Sequence, residues 1–181
     1  MVRTLHSTVN EEKTEVCSPI RFAELDDIKS IVELWANIAA LRQFYDPARW
    51  SWKTRASQIW SQYAHDIITS PRAFMLICDR QDHGLSGFLT AYLQERPAYY
   101  ITPYELVIDE MYLRPKDRHV KIFRQMIDEL TREACLRESM KDPHNLSLRI
   151  DCLEKDRDIA EMLIEAGFKP SAVTYTAQLA D

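Results

Sequence analysis

A strand pattern, Leu106 to Leu113 (LVIDEMYL), runs through Arg114 and Pro115 into a helix pattern (FRQMIDELTREACL). A second apolar strand pattern, LSLRIDCL from Leu146, follows. Two strands joined through a helix lie parallel in one sheet, because a hairpin turn cannot return the chain to the same end. Their crossover is right-handed, and ligands of such sheets bind at the carboxyl ends of the parallel strands. The turn between strand and helix occupies such an end. It carries Arg114, Lys116, Arg118, His119, Lys121 and Arg124 and no glycine. A helix N-terminus offers unpaired N–H groups to an anion, whereas cations placed there oppose the helix dipole. The basic run therefore calls for something negative nearby, a ligand or a carboxylate.

The remaining periodicities complete one domain over residues 19–181, after a polar N-terminal arm of residues 1–18 set apart from the fold. IRFAEL from Ile20 reads as a short strand. Asp26 or Asp27 then caps a helix whose apolar positions Ile28, Ile31, Leu34, Trp35, Ile38 and Leu41 share one face. A second helix from Ser51 to Ile68 has the stripe Trp52, Ala56, Ile59, Trp60, Tyr63 and Ile67, read as core. After Pro71 the period shortens to that of strands, AFMLICD and LSGFLTAYLQE. They are joined by a hairpin at RQDHG in which Gly84 can take positive φ. Asp156 is placed to cap a last helix that stops at Gly167, and FKPSAVTYTAQL closes the chain as strand. The order β-α-α-β-β-β-α-β-α-β predicts an α/β (α+β) fold, a mixed, mostly antiparallel sheet with helices on both faces.

The net charge of −5 excludes a general nucleic-acid binder, whose affinity rests on a basic surface. No apolar run approaches a membrane span. The four cysteines form no CxxC pair, which points to reduced thiols and a cytoplasmic protein. The five histidines show neither HxH nor HxxxH spacing, so no metal site is expected.

Four stretches, in this order, resemble the GNAT (Gcn5-related) N-acetyltransferase superfamily: IRFAELDDIKSIVELW, LSGFLTAYLQERP, VIDEMYLRPKDR and AEMLIEAGF. Together with the element order they span roughly residues 19–179. The resemblance implies acetyl transfer from acetyl-CoA to an amine of a small molecule or a protein, with neither nucleic acid nor membrane as partner. A homodimer is among the assemblies it allows. It implies that the pantetheine arm pairs with the strand backbone at Met111, Tyr112 and Leu113. It places the pyrophosphate on Arg118, His119, Val120, Lys121, Ile122 and Phe123. There Lys121 and Phe123 stand where the family has small residues, so the loop is degenerate, and Phe123 and Ile122 add volume. Leu163 occupies the position of the family's tyrosine general acid, and the polar-aromatic segment from Glu95 to Tyr104 corresponds to one that often lines the acceptor pocket.

Acyl transfer needs a neutral amine, and an ordinary alkylamine with a pKa of about 10.4 is protonated at neutral pH, so a base is required. A departing thiolate of pKa about 8.5 tolerates the lack of a general acid. Asp109 and Glu110 are the base candidates. Adjacent strand residues face opposite ways, so only one of them is expected to reach the cleft, and the resemblance to polyamine-type members favours Asp109. The competing role for either is a structural ion pair. The competing function is a GNAT-like domain without catalysis, kept as a binding or regulatory module.

Overall fold

The computed structural model describes residues 20–48, 50–80, 84–138, 145–152 and 157–171. The N-terminal arm, the Asp156 cap and residues 172–179 of the expected closing strand lie outside them, and residues 168–171 of that stretch are not strand. Five strands form one sheet in the order β1 (Ile20–Phe22), β2 (Ala73–Arg80), β3 (Gly84–Glu95), β4 (Tyr104–Leu113) and β5 (Leu146–Ile150). The first four are antiparallel neighbours, and β5 runs parallel to β4, as the strand–helix–strand pattern requires. Helices α1 (Ile28–Tyr45) and α2 (Ala56–Thr69) cover one face, and α3 (Val120–Arg137) and α4 (Arg157–Glu165) cover the other. Strand alternation feeds both cores. Met75, Ile77 and Phe88 pack with α1 and α2, whereas Phe74, Leu76, Leu89, Leu106 and Ile108 pack with α3 and α4. β5 is half-buried along its length rather than buried.

Several element boundaries differ from the sequence pattern for identifiable reasons. The first helix is preceded by a 3-10 turn, Leu25–Asp27. The Asp27 carboxylate does not cap α1. It accepts from the Glu24 N–H at 2.8 Å and from the Arg21 guanidinium at 2.7 and 2.9 Å. Arg21 holds that carboxyl below its ordinary pKa, against the opposing effect of burial. The second helix begins at Ala56 rather than Ser51, because Trp52 is drawn back to α1, where its indole N–H donates to the Ala39 carbonyl at 3.0 Å. Ile59 lies on the outer face of α2, and Ala64 takes the buried place in the stripe. Gly84 has φ +69° in the hairpin and Gly167 has φ +101° after α4, both as expected. The Gly167 turn sends Phe168 back against Phe123, with ring centroids 5.7 Å apart.

Gly87 of β3 faces Leu113 of β4 with no room for a side chain. A Cβ there would stand 2.6 Å from the Tyr112 carbonyl oxygen and 2.5 Å from Leu113 Cδ2. A backbone atom cannot rotate away, so Gly87→Ala must push the strands apart. We expect a destabilisation of about 1–3 kcal/mol, read as a lower urea midpoint at unchanged m-value.

Candidate functional site

The register between β3 and β4 slips at one place. Thr90 opposes Glu110 but Ala91 opposes Ile108, so Asp109 is an extra residue in β4. A bulge of this kind breaks the alternation of side chains. Ile108, Met111 and Leu113 all pack into the α3–α4 core. Asp109 and Glu110 both reach the α1–α2 side, where Asp109 meets Tyr63 of α2 and Glu110 meets Arg42 of α1. The expectation that only one of the two carboxylates faces that side is therefore corrected, and the bulge is the reason.

Their surroundings differ. The Tyr63 hydroxyl donates to Asp109 Oδ2 at 2.6 Å, and Asp109 is otherwise exposed. Burial, then the charge and hydrogen bond of Asp109, push the Tyr63 phenol well above the ordinary tyrosine range, so it remains a donor. Glu110 accepts from Arg42 Nη1 at 2.6 Å, while its other oxygen is buried without a hydrogen-bond partner. The Arg42 guanidinium also lies over the Trp50 ring, 4.7 Å from its centroid. Burial raises the Glu110 pKa, and the nearby Asp109 charge adds to this, while Arg42 opposes it.

On the side of β4 away from β3, no strand pairs beyond Ile108, which faces Ile150, among the described residues. Asp109 to Leu113 thus present an unpaired backbone edge that begins at the bulge. At its far end a cleft of about 550 Å³ opens. Asn37, Leu41 and Tyr45 of α1 form one wall, Tyr112, Pro115 and Arg118 the floor, and Arg157 and Asp158 of α4 the other wall.

The basic turn is built without backbone strain. Arg114, Arg118 and His119 have φ of −56°, −75° and −115°, and Val120 and Lys121 are already helical. Glycine is not needed here for its conformational freedom. The first carbonyl that α3 uses belongs to His119, which accepts from the Ile122 and Phe123 N–H groups. The Val120 and Lys121 N–H groups precede it and form the donor end of the helix. The Phe123 side chain is fully buried in the core and Ile122 packs beside it, so neither fills the cleft. Met111 likewise turns inward, leaving its backbone on the open edge, whereas Tyr112 turns toward the cleft.

The cations have partners that the sequence pattern could not supply. Arg114 Nε donates to the Leu85 carbonyl, Arg118 Nε to the Leu113 carbonyl, and Arg124 to the Glu165 carbonyl at the end of α4. Asp117 is 1% exposed and lies 2.9 Å from Arg80 Nη2, too poorly aligned for a hydrogen bond, so charge holds this pair. It pins the turn to β2. Lys116, His119 and Lys121 are exposed.

Two expected features lie elsewhere. Leu163 is buried in the α3–α4 core, where its carbonyl accepts from the Phe168 N–H, and offers no acid. The Glu95–Tyr104 segment is at the opposite end of β4, roughly 17 Å from Asp109 by strand rise. It folds on itself, with Arg96 stacked 3.7 Å from the Tyr100 ring centroid. The sequence reading missed Tyr63 and Arg42. Tyr63 belongs to the aromatic stripe that reads as core, and only the bulge brings a carboxylate to it. No helix among the described residues is long and apolar enough to cross a membrane.

No family model matches the sequence, and no curated protein matches it. Solved structures do match its fold. An aminoglycoside 6'-N-acetyltransferase from Acinetobacter baumannii superposes with TM-score 0.65 at 13% identity, over 90% of this chain and 99% of the other. A ribosomal-protein-alanine N-acetyltransferase from Brucella melitensis biovar Abortus 2308 gives 0.60 at 19%, over 89% and 99%. A predicted acetyltransferase with acetyl-CoA from Clostridium acetobutylicum gives 0.61 at 16%, over 88% and 95%. The chain has the fold of the GNAT acetyltransferases.

A carboxyl whose pKa rises on folding binds its proton more tightly in the folded chain. Its contribution to stability is fully present below the ordinary value of 4.5 and is lost as pH climbs through the raised one. Glu110→Gln removes that loss. The variant's Tm is expected to fall less than the wild type's between acid and neutral pH, measured by circular dichroism.

Proposed function

We propose that the chain is an N-acetyltransferase that moves an acetyl group from acetyl-CoA to an amine of a small molecule or a protein. The observation that carries this reading is the open edge Asp109–Leu113, with a carboxylate–phenol pair at its start and a cationic cleft at its end. The parts fit the co-substrate. An unpaired strand edge can bond the amides of an extended arm as an added strand would. Arg118 and the first amides of α3 suit a pyrophosphate, and a volume of this size is ordinary for a ligand cleft.

Acetyl-CoA supplies a thioester carbonyl to be attacked. Asp109 takes a proton from the ammonium form of the acceptor, through its free oxygen or a water, leaving a neutral amine. Tyr63 holds the other oxygen, which fixes the carboxylate's orientation. Glu110 is a positioning residue. Its bond to Arg42 ties α1 to the bulge and keeps Arg42 from neutralising Asp109. Backbone amides on the open edge stabilise charge that develops on the carbonyl oxygen. Two phenols, Tyr45 and Tyr112, line the cleft, so a proton donor toward sulfur need not come from α4. The burial of Leu163 in the core favours the second reading, a binding or regulatory module without catalysis.

Titration calorimetry with CoA at high micromolar concentration should show binding, and no heat would remove both the enzyme and its cofactor site. Asp109→Asn should lower acetyl-CoA-dependent amine acetylation by roughly 10²–10⁴-fold at unchanged CoA affinity. Unaltered turnover would exclude Asp109 as the base. Arg118→Ala should weaken CoA binding, and the loss should shrink as salt is raised.

A further inference from the structure

Across the mouth of the cleft, Arg118 Nη1 lies 3.6 Å from Asp158 Oδ2. The arginine side chain is 16% exposed and the aspartate 80%. Arg118 Nε is bound to the Leu113 carbonyl, which fixes the plane of the guanidinium and leaves its outer edge toward α4. Arg157, the residue before Asp158, lines the same wall. A carboxylate thus occupies the edge of the one basic side chain that both borders the cleft and comes from the turn. It is a weak occupant. The distance exceeds that of a good charge-assisted hydrogen bond, and an exposed pair of this kind is screened by water and salt. A phosphate oxygen carries more charge and can take two parallel N–H donors from a guanidinium.

We propose that the first turn of α4 is part of the cofactor's phosphate site, with Asp158 acting as an internal stand-in for the phosphate. The inference rests on the acetyl-CoA reading and extends it to residues outside the basic turn. When the phosphate enters, Arg118 exchanges the Asp158 carboxylate for it, and Arg157 closes on the ligand from the same wall. Asp158 lowers the affinity for the cofactor by competing for Arg118. It also keeps the guanidinium correctly turned while the cleft holds no anion.

The test is calorimetry of CoA, and of inorganic pyrophosphate as the minimal probe, against the full chain and five variants at low and high salt. Asp158→Asn should tighten CoA binding roughly two- to fivefold at low salt, with the gain fading at high salt. Arg157→Ala should weaken it by roughly three- to tenfold. Glu161→Gln, one turn further along α4, should leave it unchanged. In an Arg118→Ala background the gain from Asp158→Asn should vanish, which a double-mutant cycle reads directly. Equal or weaker CoA binding by Asp158→Asn, an equal gain from Glu161→Gln, or a gain that survives Arg118→Ala would each overturn the proposal while leaving the acetyltransferase reading intact. Absence of CoA binding by the wild type and by Asp158→Asn alike would overturn both.

Discussion

An extra residue in the middle of β4 decides what the sheet can do. Without it, Asp109 and Glu110 would face opposite cores, and one carboxylate would be driven in among Ile108, Met111 and Leu113, where burying it unpaired would cost several kcal/mol. With it, both acids come out beside α1 and α2, and the apolar residues on either side stay in phase with the other core. The slip also coincides with the point where β5 stops pairing. One local irregularity therefore brings both acids to one side of the sheet at the point where the edge of β4 opens.

The two acids are then separated by what they touch. Arg42 and burial act on Glu110 in opposite directions, and the result is a group committed to holding α1, the connector and β4 together. Asp109 keeps one oxygen toward solvent and is bonded by a phenol that retains its proton. Two neighbouring carboxylates thus come to differ in burial and in partner on the strength of environment alone.

Much of the fold was legible because it is written in periods. The switch from helical to strand spacing after Pro71, the strand–helix–strand crossover and the two glycines of positive φ are each local signals with one physical reading. The parts of the site that were not legible depend on long-range register. A bulge leaves no mark in composition, so simple alternation does not show that Asp109 and Glu110 reach one side, or that Tyr63 and Arg42 are their partners. The basic turn lacks the family's glycines, and the backbone there takes ordinary φ while Phe123 points into the core, neither of which a side-chain pattern shows. The partners of the cations, the carbonyls of Leu85, Leu113 and Glu165, are backbone atoms, which no side-chain pattern announces.

The placement of the aromatic residues has an optical consequence. All four tryptophans, at positions 35, 50, 52 and 60, belong to α1, α2 or the connector between them, and Trp35 stacks on Trp60 at 5.3 Å between ring centroids. Trp50 sits over the arginine that binds Glu110. Tryptophan fluorescence of this chain therefore reports on one side of the sheet alone. Melting of the α3–α4 layer is dark to it, while a disturbance at the bulge is close enough to be seen without any attached dye.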